Sequence, residues 1–357
     1  MEYLYQYGLF LAKAITLVVA IIFVVGSVVS LLRQAREQLS EQLEVRNLNE
    51  RLERMADVLR SELLDNKSWK DYLKRKKKED KAHSKAKKTG RKPRLFVLDF
   101  DGDVSATATD SLREEISAIL QIAESEDEVL LRLESAGGFV HSYGLAASQL
   151  QRIRERQLQL TVAVDKVAAS GGYLMAGVAD RILAAPFAII GSIGVVAQLP
   201  NVHRLLKKHD VDIELHTAGQ YKRTLTMLGE NTEEGRAKFK QELEETHGLF
   251  KQFLNEHRSK LDLDKVATGE HWYGRQALEL ELIDEVTTSD DYLLKNLASH
   301  DIFSVEYKRR RPLTEKLGES LRLLSRPLLR RWPHVDAPSP RIQARGESPH
   351  ARYQSEL

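Results

Sequence analysis

From Leu95 onward the chain alternates short apolar and β-branched runs with helix-forming segments, and this alternation restricts its fold more than any other feature. LFVLDFDGDV reads as a buried strand, and a helix follows over residues 111–125 with Glu114 and Glu115 in its first turn. Strand and helix then alternate at residues 128–133, 144–155, 160–165, 171–178 and 181–185. A helix between two strands of one sheet is the crossover that lets them run parallel, so the expected class is α/β, a largely parallel sheet covered by helices. The 357 residues hold ample apolar side chains for a core. With no cysteine, disulfides, thiolate nucleophiles and zinc–thiolate sites are excluded. The net charge of +2 gives no global argument for a nucleic-acid partner. No metal or cofactor is expected.

Within the alternation, LTVAVDKVAASGGYLMAGVA at residues 160–179 concentrates the chemistry. An apolar run ends at Val167, Ala168-Ala169-Ser170-Gly171-Gly172 turns sharply, and a helix begins. A serine at such an apex has its hydroxyl lifted out of the sheet with backbone N–H groups beside it. The same serine can serve simply as a helix cap. A second glycine pair, Gly137 and Gly138 in Glu134-Ser135-Ala136-Gly137-Gly138, follows the strand at 129–133 and is a candidate oxyanion hole.

A serine nucleophile needs a base. His141, His203, His209 and His216 are candidates by type, but none stands in a recognisable triad context. Lys222, in AGQYKRTL, is flanked by small and apolar residues that can desolvate it. To act near neutral pH its pKa must fall by roughly 3 units, about 4 kcal/mol, which burial can supply. Lys166, four residues before Ser170, lies back along the strand and ranks below Lys222. A competing pair, Asp99 and Asp101 at the end of the first strand, resembles the aspartates of haloacid-dehalogenase-type phosphatases. Asp103, however, stands where that family carries threonine.

The flanks have a different character. Residues 14–32, AITLVVAIIFVVGSVVSLL, form an uncharged run of bilayer-spanning length. It lacks a basic n-region and a cleavage pattern, so an uncleaved anchor is expected, with Lys13 snorkelling and Tyr3, Tyr5 and Tyr7 at headgroup level. Lys13 precedes the run and Arg33, Arg36, Arg46, Arg51 and Arg54 follow it, which by charge places the C-terminal part in the cytoplasm. Leucines at helical spacing over 37–64 predict a stalk or oligomerising helix. A basic, low-complexity linker over 67–94, with KRKKK at 74–78, suits anionic lipid better than nucleic acid. A second apolar run at 182–200 is broken by Pro186, Gly191 and Gly194 and is expected in the core. Beyond it the sequence predicts a helix at 202–208, a strand at 212–216, a long helix over 232–260 capped by Asn231 or Thr232, and a turn, helix and short strand over 266–286. The tail from Lys308 is basic, partly amphipathic to Trp332, and expected to be disordered beyond Pro333.

Six motifs occur in a fixed order: S-x-G-G at 135–138, V-A-A-S-G-G-Y at 167–173, A-D-R-I at 179–182, G-S-I-G-V at 191–195, G-x-Y-K at 219–222, and A-T-G-x-x-W/Y-x-G-x-x-A…L-I-D-E at 267–285. In these the chain resembles the S49 family, the signal-peptide-peptidase-A-like membrane serine proteases. The resemblance implies a ClpP/crotonase-like domain with an N-terminal transmembrane helix and helical stalk. It implies a dyad of Ser170 as nucleophile and Lys222 as general base, with the N–H groups of Gly171 and of the Gly137-Gly138 turn as oxyanion hole. It further implies peptide or protein substrates, a homo-oligomeric ring in which serine and lysine can meet across subunits, and a catalytic domain outside the cytoplasm at the bacterial inner membrane, against the charge rule. Ser170 and Lys222 flank the second apolar run, so a single anchor fits. The expected organisation is an anchor at 1–32, a charged stalk and basic linker at 33–94, the peptidase domain at 95–307 and the tail at 308–357. Two departures stand out: Ala136 where relatives often have proline, and Glu281 where they often have glycine. A catalytically silent scaffold organising membrane partners is the non-enzymatic alternative.

Overall fold

The computed structural model describes residues 13, 15, 16, 18–22, 26, 42–86 and 91–308. The chain divides into two units, one of residues 1–40 with 310–357 and one of residues 41–309. Among the described residues no helix is long and apolar enough to cross a membrane. Much of the 14–32 run and everything after Lys308 lie outside the described residues, and with them the expected anchor and tail.

Unit 41–309 opens with β1 (Gln42–Asn47), α1 (Leu48–Leu63) and α2 (Asn66–Ala86). Next come β2 (Arg94–Gly102), α3 (Thr109–Ile122), β3 (Glu128–Ser135), α4 (Val140–Glu155), β4 (Gln159–Val164), β5 (Val167–Ala169) and α5 (Gly171–Ala176). The second half runs β6 (Arg181–Ala184), β7 (Ile189–Gly191), α6 (His203–Lys208), α7 (Glu233–His257), α8 (Leu263–Val266) and β8 (His271–Tyr273). It ends with α9 (Gly274–Glu279), β9 (Glu285–Val286), α10 (Ser289–Asn296) and β10 (Asp301–Lys308). The strands form one sheet ordered β1-β10-β2-β3-β4-β6-β9, with a branch in which β5 pairs β3 and β7, and β7 pairs β8. Only the β1–β10 and β7–β8 pairs are antiparallel among these strands. The largely parallel α/β sheet read from the alternation is therefore present, made mixed by the β1–β10 and β7–β8 pairs.

One face of the sheet packs under α3, α4 and α5, where Leu112, Ile116, Tyr143, Leu150 and Tyr173 meet Leu98, Leu131 and Val162. The other face is covered by the start of α1 and by α10, through Leu48, Tyr292 and Leu293 against Leu95, Val97 and Leu130. Parallel strands buried on both faces read as continuous apolar runs, which is why 95–98 and 129–131 were legible.

Three segments depart from expectation. The helix predicted over 37–64 begins only at Leu48, where Asn47 accepts the Glu50 N–H as its cap. The six residues before it pair antiparallel with β10, so the sheet reaches well before Leu95. An open edge at β10 offers ladder hydrogen bonds that outweigh the weak leucine spacing of QLEVRN. The basic linker is helical from Asn66 to Ala86 and folds back on α1, where Asp57 accepts Arg60 and Tyr72 at 2.8 and 2.7 Å and pairs with Lys76. Finally, residues 212–216 form no strand, and the apolar run is buried only to Ile193, with Val196 91 % exposed.

Candidate active site

The site follows from one register. Ser135, the last residue of β3, pairs in parallel with Ala168 of β5, so the turns that leave these strands emerge side by side. Parallel strands of an α/β sheet present their loops at the carboxyl edge, where such folds place ligands. The first turn contains Gly137 at φ +88°. A Cβ there would fall 2.7 Å from Gly171 N and 2.8 Å from Ser170 Cβ, so the two turns touch and only glycine fits between them.

Ser170 occupies φ +53°, ψ −120° between β5 and α5. An L-residue there is strained by an amount on the order of 1–3 kcal/mol, and such strain persists only where the surroundings fix it. Here Ser170 N–H donates to Gly191 O at 2.8 Å and Leu174 N–H donates to Ser170 O at 2.9 Å. On the inner side, a Cβ at Gly172 would meet Ser135 O at 2.6 Å, and one at Gly171 the Tyr143 ring at 2.4 Å. The half-buried Ser170 side chain accepts no capping hydrogen bond. The capping alternative therefore has no geometry behind it. Gly171, the first residue of α5, has an N–H with no intrahelical acceptor.

The base candidates are dispersed. Lys222 lies exposed at the end of a turn in which its N–H donates to Gly219 O at 3.2 Å, and among the described residues no side chain hydrogen-bonds Ser170 Oγ. Lys166 donates to both oxygens of Glu134, at 3.0 and 2.8 Å, and that pairing raises its pKa, the wrong direction for a base. His141 stacks on Phe139, and His216 pairs with Glu214 at 3.2 Å in the open. His203 begins α6 and His209 caps its end. Asp99 is held by Arg132 through two hydrogen bonds of 2.6 and 2.8 Å. Both its oxygens are thus engaged by the guanidinium, which counts against Asp99 as the free nucleophile that the phosphatase reading needs.

Two residues of the site were not singled out from sequence, Tyr143 and, in its structural role, Ser135. A tyrosine in the otherwise apolar stripe Tyr143, Ala146, Ala147, Leu150 and Ile153 was the available signal, since a buried phenol needs a partner.

The class follows from comparison with known families. Residues 2–150 match the model of the peptidase family S49 N-terminal region, and residues 152–301 match that of peptidase family S49 itself. The chain belongs to peptidase family S49. It is 52 % identical over 322 residues to a probable protease SohB of Haemophilus influenzae, covering 87 % of this chain and 91 % of the relative. It is 49 % identical over 304 residues to a probable protease SohB of Buchnera aphidicola subsp. Schlechtendalia chinensis, covering 82 % and 99 %. Among solved structures, a membrane-bound stomatin-specific protease shares 17 % identity at a TM-score of 0.39, over 58 % of this chain and 85 % of that one.

Proposed function

We propose that this peptidase is a serine endopeptidase working through a Ser170/Lys222 dyad. Ser170 Oγ attacks the scissile carbonyl carbon while its proton passes to neutral Lys222 Nζ. The carbonyl oxygen becomes an oxyanion facing the N–H groups of Gly171 and of Gly138, the Gly137 N–H being taken by Ser135 Oγ at 3.0 Å. Collapse expels the amine, which takes the proton from Lys222, and water then hydrolyses the acyl-enzyme. The observation that carries this reading is the strained Ser170 backbone at a strand-to-helix apex in contact with Gly137. A serine that only caps a helix has no use for that conformation.

Lys222 must be desolvated to act, and it is exposed in the single chain. Its segment also exposes Val196, Leu205, Val211, Ile213 and Leu215. An apolar surface of that kind supports assembly into a homo-oligomeric ring of ClpP/crotonase type, in which a neighbouring copy covers the segment and Lys222 reaches a serine across the interface. The uncharged run at 14–32 supports a single-pass anchor in the bacterial inner membrane, and the lysine-rich α2 supports contact with anionic lipid. Turnover of a fluorogenic peptide tests the dyad. Ser170→Ala and Lys222→Ala are each expected to lower kcat by about 10³-fold or more. A wild-type rate in Lys222→Ala would overturn it, and loss in His216→Ala instead would move the base to histidine.

A further inference from the structure

Beneath the two glycine turns lies a buried pair of hydroxyls. Tyr143 is wholly buried and Ser135 is 2 % exposed. The Tyr143 ring is the floor under Gly171, and its hydroxyl reaches toward the other turn. Tyr143 Oη lies 2.5 Å from Ser135 Oγ and donates to Asp103 O at 2.7 Å, while Gly137 N–H donates to Ser135 Oγ at 3.0 Å. The two ends fix the direction of this chain, because an amide can only donate and a carbonyl can only accept. Ser135 O–H therefore points at Tyr143, and Tyr143 O–H at Asp103. The alternative acceptor for Ser135, Gly102 O, is 3.4 Å away. Gly102 itself makes room, since a Cβ there would come within 2.5 Å of Ser135 Oγ and 2.6 Å of Tyr143 Oη. Burial pushes the Tyr143 phenol pKa up, so the donor to Asp103 persists at neutral and mildly alkaline pH.

This arrangement consumes the Gly137 N–H. Among the described residues Gly138 N–H donates to no protein acceptor, so Gly138 and Gly171 are the amides left to face an oxyanion. We propose that Ser135 and Tyr143 are positioning residues for acyl transfer: their one-way hydroxyl relay locks Gly137 in its left-handed turn and so holds the turn that carries the Gly138 N–H against Ser170 and Gly171. One residue, Tyr143, thereby supports both arms of the site, by its ring and by its hydroxyl. The proposal rests on Ser170 being the nucleophile.

Tyr143→Phe keeps the ring under Gly171 and removes only the hydroxyl, and Ser135→Ala removes the acceptor of Gly137 N–H. Rates are taken per Ser170 site titrated with a fluorophosphonate, so partial unfolding does not count as slow turnover. Both variants are expected to lose about 10- to 100-fold in kcat with KM within about twofold. Affinity for a peptide aldehyde, which forms a tetrahedral adduct with the serine, is expected to fall in step with kcat/KM. A role in stability alone would lower the melting temperature and leave both quantities unchanged. Wild-type kcat per titrated site in both variants overturns the relay even if they melt early. Ser170→Ala separates the two levels: if it retains wild-type turnover, the nucleophile assignment fails and the relay with it. If it is inactive while Tyr143→Phe and Ser135→Ala are not impaired, only the relay fails.

Discussion

At Gly137 the absence of a side chain is itself a structural requirement. Gly137→Ala places a methyl at a left-handed φ of +88° and within 2.8 Å of both Gly171 N and Ser170 Cβ, so the serine turn must move. The expected outcome is a loss of at least about 10²-fold in kcat/KM, since a small displacement of reacting groups has that effect. Peptide turnover alongside a melting curve checks it. Glu281 presents the opposite case. It sits at φ +59° just past α9, in the left-handed region that favours glycine. Glu281→Gly removes the Cβ penalty while keeping the carbonyl that accepts Arg258 at 2.9 Å. Stability in urea is expected to rise by about 0.5–1 kcal/mol with turnover unchanged.

Among the elements, α3 and β10 meet through a buried carboxyl. Glu115 accepts Tyr307 N–H at 2.7 Å, and among the described residues its other oxygen has no partner. Burial is the main cause that raises its pKa to about 7, with Asp99 and Glu306 adding repulsion and the Tyr307 bond opposing. The folded state then holds a proton that the unfolded chain releases near pH 4.5. Stability falls as pH rises from about 4.5 through about 7, by on the order of 3 kcal/mol if Glu115 acts alone. Glu115→Gln keeps an acceptor for Tyr307 and removes the charge, so it should flatten that decline and be more stable than wild type at pH 8. Urea melts between pH 5 and 8 measure both. A parallel pH dependence in the variant would show that Glu115 is not responsible.

What was legible at this scale follows the same physics. Strands β2, β3 and β4 and the serine turn are set by local apolar runs and glycine pairs, which sequence displays directly. β1 was hidden because Gln42–Asn47 becomes a strand only by pairing with β10, more than 250 residues away. The Ser135–Tyr143 relay was hidden for a related reason. Its direction depends on two backbone groups, Gly137 N–H and Asp103 C=O, that no residue type reveals.

For the whole molecule, unit 41–309 carries a complete serine turn and an exposed lysine segment. If the dyad forms across subunits, co-assembled Ser170→Ala and Lys222→Ala chains regenerate intact sites where one supplies lysine and the other serine. An equal random mixture should then recover about a quarter of the wild-type rate, and unmixed variants none. No recovery would place both residues in one subunit. Whether Ser170 is the acylated nucleophile is tested by intact-mass and peptide mapping after reaction with a fluorophosphonate. One adduct per chain is expected on Ser170, absent in Ser170→Ala and slowed in Lys222→Ala. An unmodified Ser170 peptide in turnover-competent wild-type protein, or an adduct that survives in Ser170→Ala, would contradict it.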